Sequence, residues 1–328
     1  MTQALVDFLP TEDPLRRDAR AEYSLALPVL GLNTTFESNS RYVLGVVEEA
    51  FGAWRRAEAN GDVRLTVRII VFDAAEGDAA PAPVRHICPD EQRLIVHSPA
   101  SVGVSDPARG ESVAYVTTAL AADRAHFRGA MLEALTFALV AQFDRHPLHA
   151  AAVARDGRAV LLVGESGAGK STLAYLASCA GFDVLAEDHA WIQLEPTLRV
   201  WGGARRVRLG REATAHFPEV ASAAVSSTIG GKIKLAVELP ANPRASVADD
   251  AVVCLLGRSD GDATLDRVDI AAITLGLTAN VAPGFDRFPE RHARVVRALA
   301  ARGGWRLSLS GNPREALPLL AQLVERGE

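Results

Sequence analysis

The chain has 328 residues, 48% of them hydrophobic and 23% charged, with a formal net charge of −5. That length suits two domains with a sizeable core, and that balance excludes disorder. The small acidic excess offers no global attraction for nucleic acid.

The three cysteines, Cys88, Cys179 and Cys254, are far apart and form no metal-ligand spacing, so a reduced, cytoplasmic compartment is expected. Met1 to Arg20 carries mixed charge and is broken by Pro10 and Pro14, unlike a signal peptide, and reads as an irregular arm. No apolar run approaches the length of a membrane span, so no membrane partner is expected. Asn39 or Ser40 caps a predicted helix running to about Ala59, with Val43, Val47, Ala50, Phe51 and Trp54 on one face and Asn60-Gly61 as its stop. Val63 to Val71 alternates apolar and polar residues, as a strand does. The Ala-, Gly-, Asp- and Pro-rich stretch 73–83 reads as a surface loop. Arg93 to His97 and Ser112 to Thr118 read as further strands. Phe127, Met131, Leu135 and Leu139 place an apolar stripe on a helix ending near Asp144, which is explained by core packing.

Pro147 marks the expected boundary between an N-terminal α+β domain, 1–145, and a second domain, 146–328. His149 to Ala154 and Arg158 to Val163 flank Asp156-Gly157, which predicts a hairpin. The apolar run Ala159 to Val163 reads as a buried strand. It leads into Gly164-Glu165-Ser166-Gly167-Ala168-Gly169-Lys170-Ser171-Thr172, which fits the phosphate-binding pattern G-x-x-x-x-G-K-[ST]. The glycines let the backbone curl into a nest of N–H donors, and Lys170 can reach the outer phosphates. Ser171 can ligate Mg²⁺, and the dipole of the following helix faces the anion. That helix runs to Ala180, with Gly181 as its cap. A phosphate-binding site is expected here, although the loop alone names no reaction.

The next strand, Phe182 to Ala186, ends in Glu187-Asp188, with Glu187 16 residues after Ser171. Two carboxylates at a strand end can serve a Mg²⁺ ion and a nucleophile's proton, but consecutive strand residues point to opposite faces. The bland alternative is an acidic surface turn. Beyond it lie the cations Arg205, Arg206, Arg208 and Arg211, and then Gly230-Gly231-Lys232-Ile233-Lys234. Val252 to Leu256 reads as a buried strand, and Asp260-Gly261-Asp262 as a turn. Arg291 to Arg302 is predicted helical and Trp305 to Leu309 a strand. Asn312-Pro313 opens the last helix, which Pro318 is expected to kink.

His149, the loop and the acidic pair together resemble the catalytic domain of HPr kinase/phosphorylase. The match is strong over about 45 residues, and the segment from Leu148-His149-Ala150-Ala151-Ala152-Val153 through Leu185-Ala186-Glu187-Asp188 is especially similar. The rest of the C-terminal half fits loosely, and residues 1–145 show no visible match. The resemblance implies an α/β fold of the HPr kinase and phosphoenolpyruvate carboxykinase type, ATP and Mg²⁺, and phosphorylation of a serine-like hydroxyl. It gives Glu187 the attacking hydroxyl. Asp188 pairs with His149 and, with Ser171, organises the metal. Two departures stand out: the family's first acid is Asp rather than Glu, and Thr172 replaces a glutamate. The longer substrate-linked signature after residue 195 is absent, which argues against the HPr protein as acceptor. One or two of Arg205, Arg206, Arg208, Lys232 and Lys234 are candidates for a clamp on the γ-phosphate or an acidic acceptor. A solvated face is the alternative for these cations.

The expected activity is therefore ATP-dependent transfer to a peptide, protein or small-molecule hydroxyl, with residues 1–145 available for acceptor recognition. Homo-oligomerisation is compatible with the sequence and not specified by it. The competing reading is a nucleotide-dependent switch acting through a protein partner, and a third is a carboxykinase-like metal enzyme with His149 as a ligand.

Overall fold

A computed structural model describes residues 20–59, 63–73, 83–90, 92–223, 225–229, 232–239, 246–281 and 288–325, with backbone only for the described part of 222–232. The N-terminal arm, the stop at Asn60-Gly61, most of the loop 73–83 and Gly230-Gly231 fall outside the described residues. The chain forms two compact units, Met1–Phe143 and Asp144–Glu328. Both combine helices with mixed sheets.

The first unit contains β1 (Tyr23–Val29), β2 (Leu32–Ser38), α1 (Arg41–Phe51), β3 (Arg64–Phe72), β4 (Arg85–Ile87), β5 (Leu94–His97), β6 (Val102–Asp106) and β7 (Glu111–Thr117). α2 (Thr118–Ala122), α3 (Arg124–His126), a π-helical segment (Phe127–Glu133) and α4 (Ala134–Val140) follow. The strands form one seven-stranded sheet in the order β1-β2-β3-β7-β6-β5-β4. Along β3 the predicted alternation is realised: Leu65, Val67 and Ile69 are buried while Arg64, Thr66 and Arg68 are not. The stripe Phe127, Met131, Leu135 and Leu139 is fully buried. α1 is shorter than predicted: it ends at Phe51 and tightens into a 3₁₀ turn, Gly52–Trp54, where glycine weakens the α-helical continuation. Ser40 occupies the cap position without a side-chain cap bond.

The second unit contains β8 (His146–His149), β9 (Ala151–Arg155), β10 (Arg158–Val163), α5 (Lys170–Cys179), β11 (Asp183–Ala186), β12 (His189–Gln193), β13 (Arg199–Trp201), β14 (Arg206–Gly210), α6 (Val220–Ala223), β15 (Val225–Ile229) and β16 (Lys232–Glu238). Then come β17 (Val247–Ala248), β18 (Asp250–Arg258), β19 (Thr264–Val268), α7 (Ile270–Ala279), α8 (Pro289–Ala300), β20 (Gly304–Leu309) and α9 (Ala316–Glu325). Six strands in the order β11-β9-β10-β18-β20-β19 form the central sheet. Asp156 and Gly157, at φ 52° and 81°, make the predicted two-residue turn between β9 and β10. β10 lies parallel to β18, and β18 to β20, so their carboxyl ends share one edge of the sheet.

The apolar run of β10 reflects burial on both faces. Val160 and Leu162 pack with Leu173 and Leu176 of α5, Val207 and Leu209 of β14, and Leu320 of α9. Ala159, Leu161 and Val163 pack on the other face with Ile273 of α7 and Val296 of α8. Cys254 lies in the first of these cores, and burial pushes its thiol up to about 12. Cys88 and Cys179 are exposed. A thiol-specific reagent at pH 8 is therefore expected to modify two cysteines in the native protein and the third only on unfolding, as counted by mass spectrometry.

Two expectations need correction. His149 to Ala154 is not one strand: the chain breaks at Ala150, where Ala150 N–H bonds Leu148 O at 2.8 Å. β8 joins a four-stranded sheet, β17-β13-β12-β8, while β9 stays in the central one. Pro318 falls in the first turn of α9, where a missing N–H leaves no helical hydrogen bond unmade, so no kink is required. Among the described residues no helix is long and apolar enough to cross a membrane.

Candidate functional site

β10 ends at Val163 and the phosphate-binding loop begins. A Cβ on Gly164 would lie 2.9 Å from Ala168 Cβ and 3.3 Å from Leu256 Cβ, so the loop closes tightly only over glycine. Gly167 and Gly169 adopt φ 89° and 105°, the left-handed region that favours glycine. Ala168 N–H bonds Glu165 O at 3.1 Å, closing the turn, and Leu173 N–H bonds Gly169 O at 2.9 Å, starting α5. The first-turn N–H groups of α5 have no intrahelical acceptor and point along the loop axis with the positive end of the helix dipole. The Lys170 ammonium is buried and donates to Gly164 O and, at 3.3 Å, to Glu165 O, so the loop's own carbonyls hold it. Burial pushes Lys170 below the usual lysine range, Asp188 opposes that shift, and Lys234 adds to it. From the end of β18, Arg258 donates to Gly167 O at 3.1 Å.

The acidic pair is aimed by two backbone devices. β11 pairs antiparallel with β9 and its register slips between Val184 and Ala186, a bulge that turns the chain just before Glu187. Leu185 O then accepts from Gly203 N at 2.8 Å and Ala204 N at 3.1 Å, which fixes the strand end against the segment after β13. Gly202 lies so close that a Cβ on it would sit 1.9 Å from Leu185 O.

Glu187 and Asp188 diverge, as adjacent residues at a strand end should. The Glu187 side chain is only 9% exposed. Its Oε1 accepts from Arg208 N at 2.9 Å and from Ser171 Oγ at 3.4 Å, and its Oε2 from Arg208 Nη1 at 3.2 Å. Burial raises its pKa, and the charge and N–H of Arg208 work against that. The Asp188 side chain is 49% exposed and faces two histidines. His149 Nε2 is 3.1 Å from Asp188 Oδ1, and His189 Nε2 is 3.5 Å from Oδ2. His149 and His189 are direct partners across β8 and β12, their rings 5.7 Å apart. Burial lowers the pKa of His189; Asp188 opposes this, and His149, Lys170 and Arg208 reinforce it.

The structure thus brings Lys170, Ser171, Glu187, Asp188 and His149 to one edge of the second unit. The contacts within the acidic pair differ from the roles read from sequence. Ser171, the candidate metal ligand, meets Glu187 rather than Asp188, while Asp188 meets His149. Of the candidate cations, Arg208 bonds Glu187, and Lys234 acts electrostatically on both Lys170 and Glu187. Arg206 pairs instead with Glu238 at 3.6 Å, Arg205 and Arg211 are exposed, and the side chain of Lys232 lies outside the described part. Glu165, Ser166 and Thr172 sit in the loop and the first turn of α5 without a side-chain role in these contacts. Sequence reasoning missed His189 and Arg258. His189 directly follows the acidic pair and lay in plain view, but nothing local signals that it faces His149.

No protein-family model matches this chain, and no curated protein matches it. Among solved structures, the chain is similar to the HPr(Ser) kinase/phosphatase from Coxiella burnetii at 15% identity, over 55% of this chain and 94% of that one, with a TM-score of 0.28. The functional reading therefore stands on the site's own residues.

Proposed function

We propose that the chain is a P-loop kinase of the HPr kinase and phosphoenolpyruvate carboxykinase type that transfers the γ-phosphoryl group of ATP to a serine-like hydroxyl. The observation that carries this reading is the convergence on one sheet edge of a phosphate loop with its buried lysine and, beyond it, a half-exposed carboxylate held by a histidine. Phosphoryl transfer asks a protein mainly for positioning and charge stabilisation, and this arrangement supplies both.

The main-chain N–H groups of 165–171 and Lys170 bind the triphosphate. Arg208 and Lys234 add positive charge beside it. The Ser171 hydroxyl and the Glu187 carboxylate are hard oxygen donors in contact with each other beside the loop, a donor set that fits Mg²⁺. They would hold the ion, which neutralises charge on the phosphates when bound. The Glu187 side chain is 9% exposed and that of Asp188 49%, so an acceptor hydroxyl reaches Asp188 more readily. Asp188 takes the hydroxyl proton as the acceptor oxygen bonds to phosphorus and ADP leaves. His149 orients Asp188. The acceptor is a peptide, protein or small metabolite, with peptide or protein favoured because the first unit is larger than ATP binding requires.

The test is incubation with γ-labelled ATP, Mg²⁺ and lysate from the protein's own source, split into macromolecular and small-molecule fractions. Label on a hydroxyl in either fraction is expected, and its loss by orders of magnitude in Lys170→Ala, whose fold should persist. Label appearing only as free phosphate, at the same rate with and without lysate, supports the nucleotide switch instead.

A further inference from the structure

The order of the central sheet gives the phosphate loop two unlike sides. β10, β18 and β20 run parallel, and β11, two antiparallel pairings away from β10, ends at the same edge. In the order β11-β9-β10-β18-β20 the loop leaves the middle strand. On one side of it β11 delivers Glu187 and Asp188. On the other side β18 delivers Arg258, and the end of β20 is tied to it by Ser259 N–H on Leu309 O at 2.9 Å. The loop rests on these two strands. A Cβ on Gly164 would lie 3.3 Å from Leu256 Cβ, and one on Gly169 would lie 2.9 Å from Leu309 Cδ1.

A nucleoside triphosphate is a long ligand with different ends. In the proposed site its γ-phosphate lies with Lys170, Ser171 and the acidic pair, on the β11 side. With the middle phosphate in the nest, the nucleoside end leaves the loop towards β18 and β20. Arg258 is what it meets there. The side chain is exposed and donates to Gly167 O at 3.1 Å. A loop that turns its N–H groups on an anion turns its carbonyls outwards, so Arg258 stands beside the nest rather than inside it. Among the described residues no carboxylate pairs with Arg258, whereas Arg294 has Glu195 and Arg206 has Glu238. No aromatic ring among them covers its plane either, whereas Arg155 lies over Phe182 and Arg314 over Phe217. The surroundings are open. A Cβ on Gly167, or on Gly311 just beyond β20, would meet nothing within 4 Å. A guanidinium is planar and weakly hydrated and stacks on aromatic faces, and a nucleobase is such a face.

We infer that Arg258 receives the nucleoside end of the nucleotide, its guanidinium plane stacked on the base over the open surface between Gly167 and Gly311. This rests on the nucleotide site of the kinase reading and adds the direction in which the ligand lies. Calorimetric titration with ATP, ADP and inorganic tripolyphosphate, each with Mg²⁺, compares the wild type with Arg258→Ala and Arg258→Lys. The side chain is exposed, so both variants are expected to melt with the wild type. The wild type is expected to bind ATP more tightly than tripolyphosphate. Arg258→Ala should weaken ATP and ADP by the same factor, about tenfold, as the loss of one stacked base does, and leave tripolyphosphate unchanged. Arg258→Lys keeps the charge without the plane and should recover only part of the loss. Equal weakening of tripolyphosphate would make Arg258 a brace for the loop through Gly167 O. Weakening of ATP alone would place it at the γ-phosphate, and wild-type affinities in Arg258→Ala would leave it no part in binding. Each of these three results overturns the inference and leaves the kinase reading standing. Lys170→Ala, by contrast, is expected to weaken all three ligands. A wild type that binds none of them overturns the nucleotide site itself, and the inference with it.

Discussion

Gly202→Ala is expected to destabilise the second unit by about 3 kcal/mol or more and to abolish any activity of the site, although Gly202 touches no substrate. The new Cβ would stand 1.9 Å from Leu185 O, 2.3 Å from Leu185 C and 2.7 Å from Leu185 Cα. These are backbone atoms, and Leu185 O already accepts two N–H groups from Gly203 and Ala204, so the clash cannot be relieved by turning a side chain. Gly202 N–H bonds Ser246 O at 3.0 Å, which holds the other side. The strand end must therefore move, and it carries Glu187 and Asp188. Thermal unfolding read by circular dichroism measures the first effect, and nucleotide titration on the folded fraction measures the second. A variant with wild-type melting temperature and wild-type transfer would show that the close approach of Gly202 to Leu185 does not set the position of the acidic pair.

Local chemistry made part of this site legible in advance. The loop from Gly164 to Thr172 is contiguous, and each residue type is demanded by backbone geometry at its own position. The Asp156-Gly157 turn is likewise a two-residue decision. Other features are decided by partners distant in the chain. The turn between β1 and β2 is made by Leu30 at φ 49° and Gly31 at φ 75°, and a leucine in the left-handed region gives no turn signal. The switch of sheet at Ala150 falls where His149 meets the run Ala150–Ala154, with no glycine or proline at the break to signal it. The facing of His149 by His189 follows from antiparallel register across 40 residues, and the contact of His149 with the Asn280 carbonyl spans 131. The division of labour in Glu187-Asp188 could not be read from an alternation rule. That rule says the two side chains part, but which one meets Ser171 depends on the bulge in β11 and on where Arg208 stands in β14.

That division gives the most discriminating measurement. Asp188→Asn is expected to keep nucleotide affinity and lower transfer by about 10²–10⁴-fold, since an amide cannot take up the acceptor's proton. It should cost little stability, because the side chain is half exposed. Glu187→Gln should act elsewhere. The amide oxygen still accepts the Arg208 N–H, but the negative charge beside Ser171 is gone, so half-saturation by Mg²⁺ should move to higher concentration, with partial recovery of transfer when the metal is raised. Single-turnover transfer across a Mg²⁺ series separates the two, because added metal rescues a weakened metal site and does nothing for a missing base. The opposite pattern, with Asp188→Asn rescued by Mg²⁺ and Glu187→Gln inert at every concentration, would return the hydroxyl to Glu187 and the metal to Asp188. It would also mean that the contact of Ser171 with Glu187 breaks when nucleotide binds. His149→Gln belongs to the same series: a loss in turnover without a change in metal requirement is expected if the imidazole serves Asp188 at the acceptor, since the His149 contact with the pair is through Asp188 Oδ1.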